Sequence, residues 1–225
     1  LLDIVAKSFP KFRIRFTTSN PQDMDTEVLF TMKAHKNICN HIHLPVQSGS
    51  DKILKEMNRQ HTREEYINLV SEIKTILPDC GISQDMITGF PNETEKDHSD
   101  TLSLMNLVKY DFGFMFKYSE RPGTLASRKL DDNIPEEIKQ RRLSEIIDLQ
   151  FKHSFENLSN YVKKTTVVLI EKESKKSKGF WAGRNEQNIM VVFPKEDYKT
   201  GDFVKVLIQD NTSTTLRGLA INKIK

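Results

Sequence analysis

The chain has 225 residues, and 34 Lys and Arg against 31 Asp and Glu give it a formal net charge of +3. This length suits one large domain, or a medium domain followed by a small one. Apolar residues make up 37% of the chain, and no apolar run is long enough to cross a bilayer, so we expect a soluble protein with no membrane partner. The first residues contain no basic region and no small-residue cleavage site, which predicts no secretory signal.

Cysteine usage is sparse. Cys39 and Cys80 are the two cysteines of the sequence, and no Cys-x-x-Cys occurs. This pattern predicts neither a disulfide framework nor a zinc module. It favours a reducing, cytoplasmic location.

The positive charge is concentrated in the C-terminal part. From Asn160 onward 13 Lys and Arg stand against 7 Asp and Glu, a balance of +6, whereas the preceding 159 residues hold 21 against 24, a balance of −3. A small basic unit attracts phosphate backbones, which makes nucleic acid a candidate partner. A solvated basic face remains the alternative.

The first part of the chain alternates predicted strands and helices. Strands are predicted at 12–17, 41–46, 81–88 and 111–118, and helices at 28–32, 62–77, 93–109 and from Pro135 onward. Thr62 and Glu65 form a capping box, and the apolar spacing that follows ends at Pro78. Strands separated by helices predict parallel βαβ units, and therefore a parallel sheet or part of a barrel. The last helix is expected to bury an apolar stripe of Ile138, Leu143, Ile146, Ile147, Phe151, Phe155 and Leu158.

Beyond Tyr161 the hydrophobic period changes from helical to alternating. Short strands are predicted at 165–170, 189–193, 203–208 and 215–221, with polar turns between them. Several short strands without helices predict a small closed or nearly closed β-barrel. We therefore expect two domains, at 1–159 and 160–225.

Ligand-binding residues are expected where the parallel strands end, because sites in such folds gather at the carboxyl ends of strands. These positions are 17–19, 47–50, 88–90 and 118–120. They are rich in hydroxyls and amides, and the sequence shows no Ser/His/Asp arrangement, no phosphate-binding loop and no metal-spaced carboxylates. This set favours binding of a polar, nucleoside-like ligand over acid–base hydrolysis.

Three features leave alternatives open. His41 and His43 share a strand face, which allows metal binding, but without a third ligand nearby a structural or solvated role is favoured. Arg13 and Arg15 also share a face, and they either pair with acidic side chains or bind an anion. Asp85 lies in an otherwise apolar strand and must have a partner, which is either an arginine or a ligand that it orients.

Six segments together resemble the radical S-adenosylmethionine methylthiotransferases. They are 13–19, 43–50, 57–59, 62–66, 89–94 and 121–124. The resemblance runs from about Arg13 to the C-terminus, where the last unit is similar to the TRAM domain, an RNA-binding β-barrel. Residues 183–193, 201–202 and 216–218 are similar to the branch that adds a methylthio group to isopentenylated adenosine beside the tRNA anticodon. A branch that modifies an aspartate of a ribosomal protein and a stand-alone RNA-binding module are the alternatives.

The resemblance implies an α/β fold: the C-terminal part of a parallel (β/α) partial barrel, followed by a small all-β TRAM barrel. It also implies S-adenosylmethionine and two [4Fe-4S] clusters in the full-length enzyme. The three-cysteine loop that holds the radical-generating cluster is absent from this sequence. We therefore interpret the chain as the C-terminal half of a longer polypeptide, without metal ligands or catalytic residues of its own, inactive alone and monomeric, whose partner is tRNA.

The resemblance and the charge pattern together assign candidate binding residues. Cofactor contacts are expected at Gln47, Ser48, Arg59, Asp85, Ile87 and Gly89. RNA contacts are expected at Lys175, Lys176, Lys178, Arg184 and Arg217, with the first four converging around one strand connection. Asp85 and Asn92 stand where the family pattern has glycine.

Overall fold

The computed structural model of the chain describes residues 1–17, 20–175 and 178–224. The first part contains three strands and seven α-helices within these residues: α1 (Leu2–Ser8), α2 (Thr26–Ala34), β1 (His41–His43), α3 (Asp51–Glu56), α4 (Arg63–Ile76), β2 (Gly81–Thr88), α5 (Glu95–Val108), β3 (Phe112–Lys117), α6 (Leu125–Lys129) and α7 (Glu136–Ser159). The second part contains β4 (Thr165–Glu173), β5 (Phe180–Arg184), β6 (Met190–Pro194), β7 (Phe203–Asn211) and β8 (Thr215–Ile224). The mixed α/β class predicted from the sequence is confirmed.

The three strands of the first part form a parallel sheet in the order β1-β2-β3. One face packs on the helices, where Ile42 and Met86 of the sheet share a core with Ile146 of α7. The opposite face, which we call the open face, is formed by alternate residues that the strand register brings to the same side. Its members are His41, His43, Ser83, Asp85, Ile87, Phe112, Phe114 and Phe116.

The prediction of a strand at 12–17 is wrong. Only Ile14 pairs, with Ile38 in a parallel bridge, through Ile14 N–H to Asn37 O (2.7 Å) and Cys39 N–H to Ile14 O (2.8 Å). The alternation that suggested a strand has another cause. Arg13 and Arg15 reach the second part of the chain instead of projecting from a ladder.

The predicted apolar stripe of α7 is wrong at two positions. Ile146 and Leu158 are buried, but Phe151 and Phe155 are 48% and 50% exposed. Polar residues occupy much of the buried face: Lys139, Arg142, Gln150, His153 and Ser154. They are buried because the face meets loops and strand ends that offer oxygen acceptors, as where Gln150 Nε2 donates to Tyr110 O and Ser154 Oγ donates to Asp111 O.

The second part is a closed barrel in the order β4-β5-β6-β8-β7, which confirms the predicted barrel. Strand β5 was not predicted, because its sequence Phe-Trp-Ala-Gly-Arg has no apolar–polar alternation. The barrel has its own core, formed by Val168, Trp181, Phe193, Val206, Leu216 and their neighbours. Leu158, near the end of α7, already belongs to this core.

The described helices are not of the membrane-spanning type. Over 1–17, 20–175 and 178–224, no helix is both long and apolar enough to span a bilayer.

Candidate functional site

A cavity of about 620 Å³ lies at the carboxyl ends of the parallel strands. Four of the residues predicted to bind the cofactor line it: Gln47, Arg59, Asp85 and Ile87. The apolar part of the wall comes from Phe90, Phe116, Tyr118, Leu125 and Ala126. An apolar wall with a few polar groups is typical of small-molecule sites.

Gln47 is held by the backbone at the edge of β2. Its N–H donates to Asp85 O (2.9 Å) and its carbonyl accepts from Ile87 N–H (2.9 Å). Gln47 has φ 72°, a left-handed conformation that non-glycine residues seldom adopt. This strained backbone turns the chain from the strand into the loop before α3, and Gln47 lies at the cavity as a result.

Two carboxylates, two guanidiniums and one ammonium group line the cavity: Glu56, Asp85, Arg59, Arg121 and Lys117. Asp85 Oδ1 lies 3.4 Å from His43 Nε2, so the partner of Asp85 is a histidine and not the arginine considered from the sequence. Burial lowers the pKa of Arg59, and the charge of Asp85 opposes that shift. Glu56 was missed by the sequence reasoning. Its Oε2 is buried with no hydrogen-bond partner among the described residues, and no sequence motif signals that condition.

Ser48 and Gly89 lie beside the cavity and are absent from its wall. Ser48 is fully buried, and its Oγ accepts from Ser50 N–H (3.2 Å) and lies 3.4 Å from Thr101 Oγ1. Gly89 has φ 71° and donates its N–H to Glu93 Oε2 (2.7 Å). Both residues shape the loops that carry the lining side chains.

A buried ion pair supports the turn at Gly89. Arg142 Nη1 donates to Glu93 Oε2 at 2.7 Å, and the two side chains are 4% and 1% exposed. Burial raises the pKa of Glu93, although the Gly89 amide and the Arg142 guanidinium favour its ionised form. Helix α7 therefore fixes the loop that places Phe90 in the cavity wall.

Arg13 and Arg15 join the two parts of the chain. Arg13 donates to Arg184 O (2.6 Å) and Val167 O (3.3 Å), and Arg15 donates to Asn185 O (2.5 Å) and Glu186 O (3.3 Å). The Arg13 guanidinium also lies 5.1 Å from the ring centroid of Phe203. Neither alternative considered from the sequence, acidic partners or an anion, describes these contacts. The arginines bind backbone carbonyls of the barrel.

The predicted RNA-binding residues fall into two groups. Lys175 and Lys178 are exposed in the turn before β5, whereas Lys176 lies outside the described residues. Arg184 ends β5, about 13 Å from Phe180 at about 3.3 Å per residue, so the expected convergence is wrong for Lys175 and Lys178, which lie beyond the other end of this strand. The register places Arg184 and Arg217 on the same barrel face.

Sequence comparison shows the family. Residues 1–105 match the radical SAM superfamily and residues 160–221 match the TRAM domain. The tRNA-2-methylthio-N(6)-dimethylallyladenosine synthase of Christiangramia forsetii is 66% identical over 97% of this chain and 45% of its own length. The synthase of the same name from Flavobacterium johnsoniae is 62% identical over 98% of the chain and 46% of its own length. The chain belongs to the radical S-adenosylmethionine methylthiotransferases.

The chain spans about half the length of the curated relatives that it matches. A solved structure, coproporphyrinogen III oxidase from Escherichia coli, described as a radical SAM enzyme, has a TM-score of 0.54 and 17% identity. The match covers 93% of this chain and 52% of that chain. At this identity it supports the fold alone.

The radical SAM superfamily implies S-adenosylmethionine and an iron–sulfur cluster. The cavity fits the nucleoside cofactor, because Glu56 Oε2 is buried without a hydrogen-bond partner among the described residues and part of the wall is apolar. No cluster site fits the described residues, where no three His, Cys, Asp or Glu side chains could hold a metal. Cys39 and Cys80 are both buried and free, and burial raises their pKa values, to about 12 for Cys80, which disfavours the thiolates that ligate iron.

Proposed function

We propose that the complete protein is a tRNA methylthiotransferase that adds a methylthio group to C2 of N6-isopentenyladenosine adjacent to the anticodon. The observation that carries this proposal is the 66% identity to a synthase so named, over 97% of the chain. The relatives' names favour tRNA over the aspartate of a ribosomal protein. The buried, reduced cysteines are compatible with action in the cytoplasm.

The rest of the polypeptide would hold the two [4Fe-4S] clusters, and this chain would help to hold S-adenosylmethionine. When bound, that cofactor supplies the radical chemistry. In this chain Gln47, Asp85 and Arg59 would bind its polar groups, while Ile87 and Phe90 would pack on its apolar surface and exclude water. Alone, the chain is inactive.

Cofactor binding is expected to depend on the polar wall. In the complete protein, Gln47→Ala and Asp85→Asn should each weaken S-adenosylmethionine binding by roughly 1 to 3 kcal/mol, because a buried hydrogen bond to the ligand is removed. Isothermal titration calorimetry measures the change. Ser48→Ala is expected to have a smaller effect, since the Ser48 hydroxyl contacts Ser50 and lies near Thr101.

The matched control is Asp148→Asn. Asp148 is exposed on α7 and absent from the cavity wall, so its variant should bind the cofactor like the wild type. Unchanged affinity in both Gln47→Ala and Asp85→Asn would exclude this cavity as the cofactor site.

Binding of tRNA is expected to be electrostatic in part. Replacing Lys175, Lys176 and Lys178 with Ala in the complete protein should weaken binding across tRNA species. It should also make the plot of log K against log salt concentration less steep. The slope should fall by about 0.9 for each phosphate that is no longer neutralised, which is the value for double-stranded DNA, and by somewhat less where the RNA is single-stranded. Filter binding over a salt series measures both quantities.

A second triple variant controls for net charge. Lys33, Lys36 and Lys55 are exposed on the first part of the chain, and replacing them with Ala removes the same charge. If both triple variants change the salt slope equally, the turn before β5 does not contact the RNA.

A further inference from the structure

Three phenylalanines form a row along β3 on the open face of the sheet. Phe112, Phe114 and Phe116 alternate along the strand, so they point to the same side. Phe114 and Phe116 are 54% and 53% exposed, whereas large aromatic side chains are buried on average. We call these three residues the aromatic row.

The aromatic row connects two cavities. Phe112 and Phe114 line a cavity of about 300 Å³ at the junction with the TRAM barrel, where Arg184 and Met190 also contribute. Phe116 lines the proposed cofactor cavity. At about 3.3 Å per residue, Phe112 and Phe116 are roughly 13 Å apart. A molecule held at the barrel therefore meets the row on its way to the cofactor.

Polar groups flank the row across the sheet. His41 stacks on Phe112, with ring centroids 5.3 Å apart, and His43 meets Phe114 edge-on at 6.2 Å. Ser83 Oγ lies 3.0 Å from His41 Nε2 and 2.9 Å from His43 Nδ1. Burial lowers the pKa of His41 to about 3, so this ring is neutral. The open face thus offers exposed ring faces beside hydrogen-bonding groups.

We propose that Phe114 is the platform on which an unpaired nucleobase of the bound RNA stacks at the entrance to the cofactor cavity. Exposed aromatic side chains hold the bases of single-stranded RNA by stacking, and enzymes that modify a base remove it from its own stack. Arg184, in the wall of the same cavity as Phe114, supplies a positive charge for the adjoining phosphate. This inference rests on the proposed function.

The test is a double-mutant cycle between protein and RNA. The complete protein and its Phe114→Leu variant are titrated with an anticodon stem-loop RNA, either intact or lacking the base at the modified position. Wild type should bind the abasic RNA about tenfold more weakly than the intact RNA, because one stacked base is missing. Phe114→Leu should bind intact RNA about tenfold more weakly, and abasic RNA as well as wild type does.

Phe155→Leu is the matched control, since Phe155 is 50% exposed on α7 and is absent from both cavities. It should bind both RNAs like wild type. Equal weakening of both RNAs by Phe114→Leu, or no weakening, overturns the inference. If Phe114→Leu weakens binding of both RNAs equally and also lowers the melting temperature of the RNA-free protein, the aromatic row packs against the rest of the polypeptide and does not bind the base. Wild type that binds neither RNA would overturn the proposed function as well.

Discussion

Replacing Arg142 with Met should lower the free energy of unfolding by about 3 to 5 kcal/mol, because it leaves the Glu93 carboxylate buried without its cation. Arg142 and Glu93 are 2.7 Å apart and almost fully buried. Glu93 also accepts from the Gly89 amide, so the variant should loosen the loop that carries Phe90. Urea denaturation of the chain, followed by circular dichroism, measures the loss.

The free energy of unfolding that Arg142→Met loses should increase with pH. Burial raises the folded-state pKa of Glu93 above its ordinary value of 4.5, so the folded state binds more protons than the unfolded state. Stability from this group is therefore present below pH 4.5 and falls as pH rises through the folded pKa. Removing Arg142 removes a charge that lowers this pKa, so the variant should lose more stability at about pH 8 than at about pH 5.

Arg141→Met is the matched control for this prediction. Arg141 is the neighbouring arginine, exposed, with Glu95 at 2.6 Å and Glu145 at 2.7 Å. Its variant should lose less than about 1 kcal/mol, since exposed ion pairs contribute little. If the Arg141 and Arg142 variants lose the same stability, the buried pair does not support the loop.

Local signals predicted the elements whose cause is local. The capping box of Thr62 and Glu65 begins α4, where Thr62 N–H donates to Glu65 Oε2 at 2.7 Å and Glu65 N–H donates to Thr62 Oγ1 at 3.2 Å. The barrel was also predictable, because most of its β-strands alternate over a few residues. Strand β5 was missed since Ala182 and Gly183 are both buried, which breaks the alternation.

The sequence-based predictions were wrong where residues far away in the sequence determine the structure. On α7, burial is set by acceptors on other elements, so Gln150 is buried while Phe151 is half exposed. No periodicity in the helix itself contains that information. The same holds for the cavity. Strand ends and motifs predicted Gln47 and Asp85, but the unpartnered oxygen of Glu56 follows from three-dimensional packing alone.

The joint variant Arg13→Met, Arg15→Met should slow tRNA modification without weakening cofactor binding. Four hydrogen bonds to barrel carbonyls, each from a charged donor, would be removed together. With the TRAM barrel no longer fixed to the sheet, tRNA bound there would be misplaced relative to the cofactor cavity. We expect kcat for tRNA modification in the complete protein to fall on the order of 100-fold, since small misplacements have effects of that size.

Cofactor affinity should remain unchanged in this variant, because all lining residues of the cavity that the structure describes lie between 47 and 126. Lys11→Met is the matched control, since Lys11 is an exposed cation in the same segment. It should keep the wild-type kcat. Limited proteolysis between α7 and β4 should be faster in the joint variant than in the control, because the two parts would then be joined by fewer hydrogen bonds. A joint variant with wild-type kcat and proteolysis rate would show that contacts elsewhere, such as Gln187 Nε2 to Asp79 O, suffice to hold the barrel.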